Sequence, residues 1–156
     1  MLDIRPAASA ADIAAVRELF VEYRHSLGID LEFQGFSAEL ERLPGPYSPP
    51  AGALLVAVLD GVICGCVGIR PLAESTAEMK RLYVKPRCRG TGLGKQLAEA
   101  AIVEAFRLGY SEVKLDTLPA MAAAMGLYRS LGFAETPPYY ENPIAGARFL
   151  ALKRPR

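Results

Sequence analysis

Where an apolar run ending at Val84 gives way to an amphipathic run over 92–108, the chain reads Lys85-Pro86-Arg87-Cys88-Arg89-Gly90-Thr91-Gly92-Leu93-Gly94-Lys95. This is a strand, a glycine-rich loop and a helix in succession. A helix that follows a strand this closely folds back onto the sheet, so the next strand can lie parallel to the first. Glycines let backbone N–H groups approach a ligand. A helix start leaves four N–H donors without intrahelical partners and carries partial positive charge. Together they make a cradle for phosphate, and Arg87, Arg89 and Lys95 add charge-assisted donors. Two familiar phosphate motifs do not fit. A P-loop needs Ser or Thr after Gly-Lys, but Gln96 follows Lys95. A dinucleotide fingerprint needs GxGxxG, but Gly90, Gly92 and Gly94 are spaced two and two. Asp116, at the end of the next apolar run, is the one feature that keeps a nicotinamide-dinucleotide reading open.

The rest of the chain supplies the elements around that loop. Ser9-Ala10-Ala11-Asp12 reads as a capping box with Asp in the Glu position. Ile13, Val16, Leu19, Phe20 and Tyr23 then share one helical face, and Gly28 ends the helix. Ser37 is placed to cap a second helix that Pro44 stops. The stretch 44–52, with four prolines and two glycines, is a loop. Residues 53–59 and 62–70 read as strands joined by an Asp60-Gly61 hairpin turn. A third strand runs over 76–84, where Lys80 and Arg81 break the alternation and predict a bulge. Helix 92–108, strand 111–116, a helix opened by Pro119 and ending near Gly132, and two final strands complete the order. The sum is one α/β domain over 1–156.

The 156 residues, 51% hydrophobic and 22% charged, exclude a wholly disordered chain. No apolar run reaches the roughly 20 residues of a membrane span, and the opening Met1-Leu2-Asp3-Ile4-Arg5 lacks the layout of a signal peptide. A cytoplasmic location is the expectation. Cys64 and Cys66 read as small core residues, and Cys88 as an exposed loop thiol. One histidine and no CxxC argue against a metal site. The net charge is +1, yet residues 78–95 carry six cations against one acid, Glu78. That concentration suits a local anion site rather than a nucleic-acid surface, which needs many phosphate contacts.

Arg89-x-x-Gly92-x-Gly94, followed by Leu127-Tyr128-Arg129-Ser130-Leu131-Gly132-Phe133, resembles the paired signatures of the GNAT superfamily of acetyl-CoA-dependent N-acetyltransferases. The resemblance runs from about Asp3 to Lys153. It implies a mixed, largely antiparallel sheet with helices on both faces and a splayed parallel strand pair. It also implies acetyl-CoA as co-substrate, held by the backbone of Arg89, Gly90, Thr91, Gly92, Leu93 and Gly94 with Lys95 as a charged contact, and with Leu82, Tyr83 and Val84 pairing along the pantetheine arm. The family often carries Asn seven residues before the tyrosine; here it is Met121, inside an alanine-rich run over 120–124.

The implied reaction is attack of an amine on a thioester. An ordinary amine is protonated near neutrality, so a base is useful. Glu78, on the strand before the loop, matches the family's glutamate and is the candidate base. Tyr128 matches its tyrosine and is the candidate acid. Glu32, Gln34, Tyr47, Tyr139, Tyr140 and Arg148 are the candidate acceptor-binding residues, Glu32 for a cation and Arg148 for a carboxylate. The expected partner is a small-molecule amine such as an amino acid, without nucleic acid or membrane, and edge pairing of the final strand offers a homodimer. A protein lysine or N-terminal acceptor, or a CoA-binding module without turnover, are the alternatives.

Overall fold

A computed structural model describes residues 1–156, apart from the side chains of residues 120 and 122. One seven-stranded sheet organises the chain: β1 (Leu2–Pro6), β2 (Ala53–Leu59), β3 (Val62–Ala73), β4 (Thr76–Val84), β5 (Glu112–Thr117), β6 (Ala134–Glu135) and β7 (Arg148–Lys153). The spatial order is β1-β2-β3-β4-β5-β7-β6, and β4–β5 is the parallel pair in an otherwise antiparallel sheet. Helices α1 (Ala10–Leu27) and α2 (Phe36–Arg42) cover one face, and α3 (Leu93–Arg107) and α4 (Ala122–Ser130) the other. The expected fold class is the one observed. No helix is long and apolar enough to cross a membrane among the described residues.

Local chemistry explains the elements. Ser9 and Asp12 form the reciprocal capping box of α1, and Gly28 closes it in the left-handed conformation. Asp60 and Gly61 both take positive φ, as a tight hairpin turn requires. On the α3 side, Leu97, Leu115 and Leu150 are almost fully buried, each contributing roughly 1.5–3 kcal/mol. Ala105 is fully buried there, and the neighbouring Phe106 packs half-buried against the same core. Cys64 and Cys66 are buried free thiols within the two cores.

Several expectations are corrected. β1 was not anticipated: five residues ending in proline are too short to show a period, yet they pair along β2 from Leu2↔Leu59 to Pro6↔Leu55. Ser37 does not cap α2; Gly35 occupies the N-cap, and the Glu32 carboxylate accepts from the Ser37 N–H at 3.0 Å. The helix opened by Pro119 begins as a 3₁₀ turn over Pro119–Met121 before α4. The strand after Phe133 is only two residues, since Pro137 and Pro138 lack the N–H a ladder needs. The last strand, β7, lies between β5 and β6, so it is not a sheet edge. Cys88 is buried rather than exposed. Of the alanine-rich run, residues 120 and 122 lie outside the described side chains.

Candidate active site at the splay of two parallel strands

Strands β4 and β5 stay paired only from Thr76↔Glu112 to Glu78↔Lys114. Beyond Glu78, β4 has no partner on that side. Its backbone from Met79 to Val84 therefore presents an open edge, which peptide-like amides can pair with. The expected bulge falls within this stretch. Cys66 pairs with Tyr83 and Gly68 with Lys80, so Arg81 and Leu82 together oppose one residue of β3. Arg81 sits at φ 61°, a left-handed value rare for a side chain of its size.

The bulge turns Arg81 into the α1/α2 face. Its Nε and Nη2 donate to the two Glu39 oxygens at 2.9 and 3.0 Å, and Nη1 donates to Gln34 Oε1 at 2.7 Å. The guanidinium also stacks over Phe36, 5.0 Å from the ring centre. Tyr47 donates to Glu39 at 2.9 Å from full burial. It fits there because Gly68 has no Cβ, which would stand 2.6 Å from the Tyr47 ring. Tyr47 is thus a core residue beneath the site and cannot wall an acceptor pocket.

Two cavities meet this network. The first is a neck of about 20 Å³ at the splay, room for about one water-sized group. Tyr23 and Gln34 line it from the α1 side, Tyr128 and Met121 from the α4 side, and Lys80, Leu82 and Asp116 from the strands. The second holds about 260 Å³ and is lined by Phe33, Gln34, Arg70, Leu72, Glu78, Lys80, Tyr139 and Tyr140. Gln34 and Lys80 belong to both linings.

Glu78 and Tyr128 accordingly line different cavities. Glu78 is 2% exposed; Arg70 Nε donates to its Oε1 at 2.9 Å and Tyr139 to its Oε2 at 2.6 Å. Tyr128 is 4% exposed and packs edge-on against Phe133. Burial pushes its phenol well above the ordinary tyrosine range, so it holds its proton. The hydroxyls of Tyr47, Tyr139 and Tyr140 each donate to a carboxylate; that of Tyr128 has no partner among the described residues.

Between them stand two residues not singled out as site residues from the sequence. Lys80 Nζ donates to Gln34 at 3.1 Å and lies 3.7 Å from Asp116 and 3.9 Å from Glu78. Burial lowers its pKa below the ordinary lysine range, while Asp116 and Glu78 oppose that shift. Asp116, at the free end of β5, accepts from Tyr140 and from Asn142 Nδ2, the latter at 3.2 Å. Two consecutive cations inside a strand buried on both faces were the signal for Lys80 and Arg81, since neither survives burial unpaired. Arg70 and Asn142 carried no such signal.

Other expected residues lie elsewhere. Glu32 is exposed and engaged with Ser37. Arg148 pairs with Glu135 at 3.2 Å and lines a third cavity of about 420 Å³, which shares Leu118 and Met121 with the neck but no residue with the larger cavity around Glu78.

On the other side of the splay, Gly90 and Gly92 take φ 83° and 79°, and a Cβ on either would meet nothing within 4 Å. The loop therefore faces open space with left-handed backbone that side chains disfavour. Gly92 is the N-cap of α3, and Gln96 makes the first bond back to it at 3.1 Å. The N–H groups of Leu93, Gly94 and Lys95 precede that ladder and are left for a ligand. Arg89 is more occupied than expected: its N–H donates to Pro86 at 3.3 Å and its Nε to the Val84 carbonyl at 2.9 Å. Its side chain braces the loop, while Lys95 stays exposed on the first turn. These residues fit a phosphate-bearing ligand whose amide arm follows β4.

Comparison with known proteins identifies the family and the fold. The model of the acetyltransferase (GNAT) family matches residues 13–133. An uncharacterized N-acetyltransferase of Schizosaccharomyces pombe is 41% identical over 144 residues, covering 91% of this chain and 88% of that protein. The fold matches a GNAT-family acetyltransferase of Staphylococcus aureus Mu50 with TM-score 0.81 at 19% identity, covering 98% of this chain and 99% of the other. It also matches yncA of Salmonella typhimurium, solved with its cofactor acetyl-CoA, with TM-score 0.67 at 26% identity over 98% and 94% of the two chains. With most of its length matched by the family model and by a close relative, this chain belongs to the GNAT family of N-acetyltransferases.

Proposed function

We propose that this N-acetyltransferase moves the acetyl group of acetyl-CoA to the amine of a small molecule, across the neck between β4 and β5. The observation that carries this reading is the division of the site: Glu78 lines the larger cavity and Tyr128 the neck. Bound acetyl-CoA supplies a thioester whose carbon–sulfur bond breaks as the carbon–nitrogen bond forms. The residues Gly90 to Lys95 bind its phosphates through backbone N–H groups, and Leu82, Tyr83 and Val84 take up its amide arm. Glu78 accepts the proton that the attacking amine must shed, held in position by Arg70 and Tyr139. Tyr128 gives its proton to the departing sulfur, and solvent returns the proton from Glu78. Lys80 and Gln34, hydrogen-bonded to each other, line both cavities where the amine and the thioester would meet.

A cavity of about 260 Å³ lies below the usual range for drug-sized ligands, roughly 300–1,000 Å³, and suits a metabolite better than a polypeptide segment. The test is calorimetric titration with acetyl-CoA, with NAD as comparison, followed by detection of free thiol on adding small amines. Saturable acetyl-CoA binding and amine-dependent thiol release support the reading. Binding of NAD instead, or thiol release only with protein acceptors, overturns it.

A further inference from the structure

Arg70 is the site cation whose side chain is most open to an entering ligand. Its Nε is committed to Glu78, but its two Nη groups have no partner among the described residues, and the side chain is 28% exposed. Lys80 and Arg81 are 4% and 1% exposed at their side chains, and both are tied to buried acceptors. An anion entering the larger cavity therefore meets Arg70 first. A guanidinium with two parallel N–H groups free is shaped for a carboxylate.

Charge balance points the same way. Arg70, Lys80 and Arg81 stand against Glu39, Glu78 and Asp116, so the network is neutral as it is. A ligand carrying only an ammonium, or only an anion, would leave one charge uncompensated beside the buried Glu78 and Lys80, which is costly. A ligand carrying one of each leaves the balance intact. Because Arg70 and Glu78 touch at 2.9 Å, its carboxylate and amine must be separated by very few bonds. Phe33 and Leu72, each 37% exposed, line the same cavity and give an apolar surface for the remaining carbon skeleton.

We infer that the acceptor is an amino acid whose carboxylate is bound by the Nη groups of Arg70 while its amine lies beside Glu78. This rests on the acetyl-transfer reading above for what happens to the amine, but not for the binding itself. The experiment therefore has two arms, each run on the wild type and on Arg70→Met. In the first, L-leucine and L-leucinamide are titrated calorimetrically into the protein without acetyl-CoA. In the second, the same pair serves as acceptors with acetyl-CoA present. The expected result is at least tenfold preference for leucine over leucinamide in both arms, reduced to less than twofold in Arg70→Met. A variant that merely misplaced Glu78 would slow both acceptors alike and leave their ratio unchanged. Equal use of the two by the wild type overturns the carboxylate site and leaves acetyl transfer standing. Selective binding of leucine without acetylation overturns the transfer reading and leaves the site standing. Neither binding nor acetylation of leucine overturns both.

Discussion

The loop over Arg89–Lys95 and the cavity around Glu78 flank one splay, yet they are assembled from different material. The loop is consecutive backbone: its donors are the N–H groups at a helix start, and its shape is set by two left-handed glycines. The cavity is side chain, drawn from the turn at Gln34, from β3 and β4, and from the segment carrying Tyr139 and Tyr140, which Asp116 of β5 ties down through Tyr140. A backbone site tolerates replacement of most side chains, because its donors come with any residue. A side-chain network does not, because each buried charge is satisfied by the next. Substitutions on the loop side should therefore act separately, and those on the cavity side should couple.

The sharpest way to break that contrast is Glu39→Gln. It leaves the buried Arg81 guanidinium without its counter-charge, so stability should fall by about 3 kcal/mol in urea unfolding. Burial pushes the Glu39 carboxyl up, but the Arg81 hydrogen bonds outweigh this and its pKa ends below the ordinary value. Its contribution is therefore present above the ordinary glutamate range and disappears as pH falls through the lowered value. The variant should show a shallower loss of stability on acidification; an unchanged acid limb would mean the pair is not coupled to the fold.

Next in size is Tyr128→Phe. Loss of a general acid should cut kcat by about 100-fold, near 2.7 kcal/mol, while the Michaelis constant for acetyl-CoA stays within about twofold of wild type. Steady-state kinetics over both substrates reads this directly. On the loop side, Gly92→Ala places a side chain at φ 79°, which costs roughly 1–2 kcal/mol. Acetyl-CoA binding should weaken by about tenfold in calorimetry. Gly94→Ala is the control, since its Cβ would come only within 3.9 Å of Val84 and its φ is not left-handed; it should bind nearly as wild type. The smallest effects belong to Glu32→Ala and Arg148→Ala, both outside the acceptor cavity. Each should change the acceptor Michaelis constant by less than about twofold.

The same contrast governs what could be read from the sequence. The loop was legible because its parts are adjacent in the chain: Gly90, Gly92 and the helix start need no knowledge of the fold. The sheet was legible from the hairpin turn at Asp60-Gly61 and the apolar runs, except for β1, which is too short to show a period. The cavity was only partly legible. Gln34, Glu78, Tyr139 and Tyr140 were singled out and share its lining. Glu32, Tyr47 and Arg148 lie elsewhere, because nothing local tells a loop tyrosine that packs under Gly68 from one that faces a ligand. Arg70 looks in sequence like any charged residue near a strand end. Its role emerges only when β3 sets it opposite Glu78 in register.

The division of labour between the two cavities is most directly tested by single-turnover transfer from protein preloaded with acetyl-CoA. The best acceptor from the amine panel is mixed with wild type and with Glu78→Gln, whose acetyl-CoA affinity is measured alongside. The expected result is a rate at least tenfold lower in the variant, about 1.4 kcal/mol of barrier, with acetyl-CoA affinity within twofold of wild type. An unchanged rate, or an affinity loss as large as the rate loss, would contradict it.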